Sequence, residues 1–398
     1  MQFIKGRSDC TPADAGYDES RIGILHKHLE RIIGNGEIQC VAYCMSRHGK
    51  VFAHAAVGPK SYKKDDDTPL SPDCVQYIAS ITKTFTAVAI MKLVEDGFTR
   101  LDVPVGEILP QFADRPFNKI TLFHLLTHTS GLHPADPNCF PNKFQTSYSK
   151  QIDQEYALHK PENGEFDWIA AALSVAGSEF SIKPGREWAY CSFGFSILGA
   201  VIEKLTGILA HKYIEDNILK PLKMTDSGFD LTPDMAQRCI VQNPEREEFI
   251  NSVISGSFKQ IAPWDKIPQT GGGLESTVYD LNRFGNMILF GGTFDGVRIL
   301  GRKAVEKMTT LALHNTPDRC WDAEEQDRRY GIGFDMRCGL PFTLSQDSFS
   351  HEGAGYSGFY VDPHEEFVAS WFVPYVNENE WYAEALWNVQ NIMWSGII

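Results

Sequence analysis

Tyr77-Ile-Ala-Ser-Ile-Thr-Lys-Thr-Phe-Thr-Ala-Val-Ala-Ile-Met91 is an apolar run holding a single cation, Lys83, three residues after Ser80. The run reads as a buried helix, and a charge is costly to bury unless the protein uses it. Residues i and i+3 share a helix face, so the Ser80 hydroxyl and the Lys83 amine are expected to meet. Burial drives an amine toward its neutral form, which makes Ser80 a candidate activated nucleophile.

The Ser-x-x-Lys spacing alone is weak, since roughly one match arises by chance in a chain of this composition. It recurs at Ser61-Tyr-Lys-Lys64 and Ser147-Tyr-Ser-Lys150. Both of those lie in polar, charged stretches, where a lysine keeps its water and a pKa near about 10.4. Only Ser80 combines the spacing with an apolar setting.

Outward from this helix, Ile22, Leu25, Leu29, Ile32 and Ile33 recur at helical spacing and predict a helix over 19–33, ended by Gly34-Asn-Gly36. Residues 38–57, broken by His48-Gly49-Lys50, read as a hairpin, with Val41, Tyr43, Val51 and Phe52 supplying strand propensity. Residues 101–212 are helical and loop-rich. Within them, 134–161 is polar and reads as a surface insertion with a short helix near Gln154.

Residues 349–361 and 366–375 are strand-like and meet at Asp362-Pro-His-Glu365, and 380–394 is an amphipathic helix. A hairpin near the start and strands near the end imply one α/β (α+β) catalytic domain in two lobes. The α/β lobe is expected over about 1–75 and 275–398, with a mainly helical lobe inserted over about 76–274.

The composition fits a large-cored enzyme, with 398 residues that are 43% hydrophobic and 22% charged. A formal charge of −14 repels phosphate backbones and anionic lipid surfaces, so neither nucleic acid nor a membrane is an expected partner. Met1-Gln-Phe-Ile-Lys-Gly-Arg-Ser-Asp-Cys10 lacks the apolar segment of a signal peptide, and a cytoplasmic location is the expectation. Nine scattered cysteines without a Cys-x-x-Cys pair signal neither a disulfide framework nor a zinc site. Cys40 and Cys44 read as core thiols on one strand face.

Ser80-Ile-Thr-Lys83, then Tyr190-Cys-Ser192, then His351-Glu-Gly353 resemble, in that order, the three motifs of the serine β-lactamase and penicillin-binding-protein superfamily. Ile120-Thr-Leu-Phe-His-Leu-Leu-Thr-His-Thr-Ser-Gly-Leu132, Pro184-Gly185, Gly272-Gly-Leu-Glu-Ser-Thr-Val-Tyr-Asp280 and Tyr330-Gly-Ile-Gly-Phe334 resemble its class C and esterase branch. The likeness runs over roughly 38–394 and implies an antiparallel sheet flanked by helices.

The resemblance implies Ser80 as nucleophile and Lys83 with Tyr190 as its proton acceptors, either through a tyrosinate or through a neutral lysine. It implies an oxyanion hole from the backbone N–H groups of Ser80 and Ala354, and substrate contacts from Ser192, His351, Gly353 and Trp188. Trp188 and Trp264 read as walls of an apolar acyl pocket. β-Lactamases usually carry Asn at the position of Ser192 and Lys at that of His351, so the groups that hold an antibiotic's amide and carboxylate are missing.

His124 and His128 have an i, i+4 spacing without a third ligand, which reads as structural hydrogen bonding rather than metal binding. Gly271-Gly272-Gly273 lacks the Lys-Ser/Thr end of a phosphate loop and reads as backbone close to the cleft. No metal or cofactor is implied. The expectation is a serine acyl-enzyme hydrolase for a small-molecule or short-peptide ester or amide. An acyltransferase with the same site is one alternative; a scaffold with vestigial chemistry is another.

Overall fold

Alternation along residues 40–45 sets the two faces of the central sheet. Cys40, Ala42 and Cys44 join one buried cluster, while Val41, Tyr43 and Met45 join another, as a period of two requires. The computed structural model describes residues 1–132, 148–163, 165–176, 182–320, 327–336, 342–355, 357–376 and 382–398.

Six described strands form this sheet: β1 (Ile4–Lys5), β2 (Val41–Arg47), β3 (Lys50–Val57), β4 (Phe349–Gly353), β5 (Ser357–Asp362) and β6 (Phe367–Phe372). They are antiparallel in the order β1-β3-β2-β6-β5-β4. β2 and β6 sit at the centre, with Ala42 opposite Phe372 and Ser46 opposite Val368. The two ends of the chain therefore build one sheet.

One face is covered by α1 (Glu19–Gly34) and by α5 (Asn388–Trp394), which follows directly on a π-helical turn at Tyr382–Trp387. The Tyr17 hydroxyl donates to the Met393 carbonyl at 2.8 Å and ties the start of α1 to this C-terminal helix. On the other face, α4 (Val278–Leu289) lies against β6 and β2. A Cβ at Gly285 would stand 2.5 Å from Val368 Cγ1, so a glycine is what lets that helix approach the sheet.

α2 (Thr82–Glu95) is buried on nearly every side from Thr82 to Met91, the pattern of a helix inside a core. Phe85 stacks on Phe284 of α4 at 3.9 Å between centroids, a pair that contributes about 1 kcal/mol beyond its burial. α3 (Ser192–Thr206) packs on α2 from the helical side. Gly97, with φ of +78°, turns the chain away just after α2 ends.

Two local expectations change and a third is met. Ser80 lies in a 3-10 turn, Ala79–Ile81, which precedes α2 and starts at a left-handed Ala79 with φ of +45°. The stretch 349–361 is a hairpin, not one strand, because Gly355 (φ +69°) reverses the chain after Gly353. The expected helix near Gln154 is Tyr148–Leu158, eleven residues long; the preceding part of that insertion, 134–147, is outside the described residues.

Candidate active site

A short antiparallel pair, Gln76–Tyr77 with Glu275–Ser276, brings the Gly271-Gly272-Gly273 segment to the Ser80 turn. The Ile78 N–H donates to the Leu274 carbonyl at 3.0 Å, and the Leu274 N–H donates to Thr82 Oγ1 at 3.1 Å. A Cβ on Gly271 would stand 2.8 Å from the Ser192 carbonyl, and one on Gly272 would stand 3.2 Å from the Tyr77 hydroxyl. The glycines are thus where backbone crowds the site.

The consequence falls on Lys83. Its Nζ lies 3.0 Å from Ser80 Oγ and 2.6 Å from the Gly271 carbonyl, and among the described residues no carboxylate pairs with it. The side chain is fully buried. Desolvation lowers its pKa from the usual lysine range to about 7.

Tyr190 reaches the same serine from the other side. Its hydroxyl is hydrogen-bonded to Ser80 and Ser192, and both bonds pull its pKa down, but burial outweighs them and raises it above the usual tyrosine value. The Lys83 amine stands over the Tyr190 ring, 4.8 Å from the centroid. Of the two species left open by the sequence, burial favours the neutral amine and disfavours the tyrosinate.

Tyr190 sits in a segment bonded residue by residue. The N–H groups of Trp188, Ala189, Tyr190 and Cys191 donate to the Pro317 carbonyl (2.9 Å), the His128 carbonyl (2.9 Å), Cys320 Sγ (3.1 Å) and His128 Nδ1 (3.0 Å). His124 instead caps the helix Leu122–Leu126, its Nδ1 accepting the Thr121 N–H at 3.1 Å. Both histidines are engaged in hydrogen bonds, and no three metal-binding side chains cluster among the described residues.

Ser80 opens into a cleft of about 130 Å³ walled by Trp188, Tyr190, Arg328, Tyr330, His351 and Ala354. The buried Arg328 guanidinium lies 4.2 Å from the Trp188 ring and bonds Asp335 at 2.7 Å, with Asp318 at 3.6 Å. His351 Nδ1 is 2.9 Å from the Glu352 carbonyl. Burial lowers the His351 pKa to about 4, with the Lys83 charge adding to the effect, so His351 is neutral. A neutral ring stands where a fixed cation would attract a carboxylate.

The other expected site residues take different places. Ser192 contacts the Tyr190 hydroxyl and begins α3. Gly353 backs the cleft: a Cβ there would stand 2.3 Å from the Ile78 carbonyl, so the end of β4 lies directly against the Ser80 turn and carries Ala354 beside it. Trp188 does line the cleft, but Trp264 does not; its indole N–H donates to Asp153 at 3.0 Å instead.

Arg328, Asp318 and Asp335 are additions to the residues expected from sequence, whereas Tyr330 is expected only as part of a family-like motif and His128 only as a structural hydrogen-bonding residue. Arg328 follows a run of acidic and polar residues and reads as solvated surface. Size does not mark the site either, since a cleft of about 680 Å³ lies elsewhere, between Glu203, Phe229, Phe249 and Phe258. What marks it is the convergence of an amine, a phenol and a hydroxyl.

The Beta-lactamase family model matches residues 25–389. The chain belongs to the Beta-lactamase family. Within the family's reach, it is 32% identical to Esterase EstB of Burkholderia gladioli over 190 residues, which is 46% of this chain and 45% of that protein. It is 28% identical to the lovastatin esterase of Penicillium rubens over 293 residues, 68% of this chain and 66% of that one. The match thus spans less than half of EstB and just under two thirds of the lovastatin esterase.

Solved structures superpose along nearly the whole chain. The simvastatin synthase LovD of Aspergillus terreus gives a TM-score of 0.71 at 18% identity, covering 94% of this chain and 98% of that one. EstCE1, described as a hydrolase with promiscuous acyltransferase activity, gives 0.71 at 17% identity, covering 95% and 99%. At such identities the agreement is one of fold: an antiparallel sheet flanked by helices.

Proposed function

We propose that the chain is a serine acyl-enzyme hydrolase that opens an ester or amide of a small molecule or short peptide through acylation of Ser80. The observation that carries this reading is the buried, carboxylate-free Lys83 amine 3.0 Å from Ser80 Oγ. In its neutral form the amine accepts the Ser80 proton as the oxygen attacks the carbonyl carbon, while its bond to Gly271 keeps it aimed.

Negative charge then develops on the substrate oxygen. The N–H groups of Ser80 and Ala354, two residues that line the same cleft, are the donors assigned to it. Tyr190, kept protonated by burial and bonded to Ser80, delivers its proton to the leaving group and takes back the proton held on Lys83, so that amine and phenol are both restored. Water or an acceptor alcohol or amine next attacks the acyl-Ser80 ester, and the same groups run in reverse.

The names of EstB and the lovastatin esterase support an ester as the scissile group. A neutral His351 and Ser192 argue against a β-lactam carrying a carboxylate. The cleft of about 130 Å³ fits a short acyl group. The test is turnover of a 4-nitrophenyl short-chain ester by the wild type and by Ser80→Ala. The substitution lowers kcat by roughly 1,000-fold or more without changing the thermal midpoint; undiminished turnover contradicts the reading.

A further inference from the structure

We propose that His128 is a positioning residue for Tyr190, clamping the residues on either side of that tyrosine through its main-chain carbonyl and its ring Nδ1. The inference rests on the reading that Tyr190 serves Ser80, and it concerns how the phenol is held there.

His128 adopts φ of +56°, a conformation that L side chains rarely take. The left-handed turn lets one residue present two acceptors to the same strand-like segment. Its carbonyl takes the Ala189 N–H at 2.9 Å, and Nδ1 takes the Cys191 N–H at 3.0 Å. The two bonds straddle Tyr190.

The imidazole also faces the phenol, with ring centroids 4.3 Å apart and planes inclined by 31°. Trp188, Phe195 and Tyr330 surround it at 5.2 to 5.5 Å, so the ring has little room to turn. His128 therefore holds the backbone on both sides of Tyr190 and packs against its ring, while Cys320 takes the Tyr190 N–H. Its hydroxyl is left to bond Ser80 and Ser192.

The protonation state fits this role. An imidazole that accepts at Nδ1 carries its proton at Nε2, and among the described residues His128 Nε2 has no hydrogen-bond partner. A buried N–H without a partner is costly. The fold accepts that cost where the other tautomer would place a proton against the Cys191 N–H. Burial, with the Lys83 charge next, keeps the ring neutral.

A purely packing role for the ring predicts something different from a clamp. Asn and Gly both tolerate the left-handed backbone, but only Asn places an acceptor oxygen where Nδ1 stands. Both lose the ring. The comparison therefore isolates the acceptor.

The experiment measures kcat, KM and thermal midpoint for His128→Asn and His128→Gly on a short-chain ester, with Ser80→Ala as background. His128→Gly is expected to lose roughly 100-fold in kcat with KM nearly unchanged, and His128→Asn less than about 10-fold. Equal losses, or a loss confined to KM, overturn the clamp. Long-range nitrogen–proton correlation on wild-type protein with labelled histidine reads the tautomer without any variant. Bare Nδ1 with protonated Nε2 supports the clamp and a proton on Nδ1 overturns it, even if Ser80-dependent turnover is absent and the hydrolase reading itself fails.

Discussion

Lys83 Nζ stands 3.0 Å from Ser80 Oγ and takes the Gly271 carbonyl, not a carboxylate, as its second partner. A carboxylate would hold the lysine charged. A carbonyl orients the amine while leaving its protonation to the environment, and full burial then decides for the neutral form.

The first consequence is a pH profile. Lys83 must be neutral to accept the Ser80 proton, and its pKa is lowered to about 7. The ratio kcat/KM should rise about tenfold per pH unit below that value and level off above it. His351, lowered to about 4, is neutral throughout and adds no second limb between pH 5 and 8. A flat profile across that range would exclude the neutral lysine as base.

The same group shapes stability. The folded pKa of about 7 lies below the unfolded lysine value of about 10.4, so between these limits the unfolded chain holds a proton that the folded one does not. Stability therefore rises with pH across that window. Lys83→Met removes the penalty, which is a few kcal/mol at pH 7 and below and shrinks toward pH 10. Urea unfolding at pH 6.5, 8 and 9.5 checks this; a wild-type-to-Met difference independent of pH would refute it.

Gly353 gives a geometric prediction. A Cβ there meets the Ile78 carbonyl at 2.3 Å and Ser357 Oγ at 2.4 Å, so Gly353→Ala must push β4 away from the Ser80 turn. The Ala354 N–H moves with it. The substitution should destabilise by roughly 1 to 3 kcal/mol and lower kcat/KM by roughly 100-fold. Full activity in a folded Gly353→Ala protein would remove Ala354 from the oxyanion role.

Legibility followed the range of the interactions. α2 and the hairpin of β2 and β3 were readable because periodicity and turn residues are local signals, and Ser80 with Lys83 because a lysine in an apolar helix violates the local rule. The strand pair β4 and β5 was merged in the sequence reading because Gly353 to Gly355 looks like a continuation until the chain reverses at Gly355. Arg328 was missed because its partners Asp318 and Asp335 and the Trp188 ring meet it only in the fold. Trp264 was misassigned to the cleft because an aromatic side chain in a proline-rich loop carries no direction in sequence.

The central claim is that Ser80 carries the acyl group, and a fluorophosphonate probe with intact-mass and peptide mapping tests it most directly. The account predicts one adduct per chain, on Ser80, lost in Ser80→Ala and slowed when Lys83 is replaced by Met. An unmodified Ser80 after prolonged exposure, or stoichiometric labelling at another residue, would contradict it.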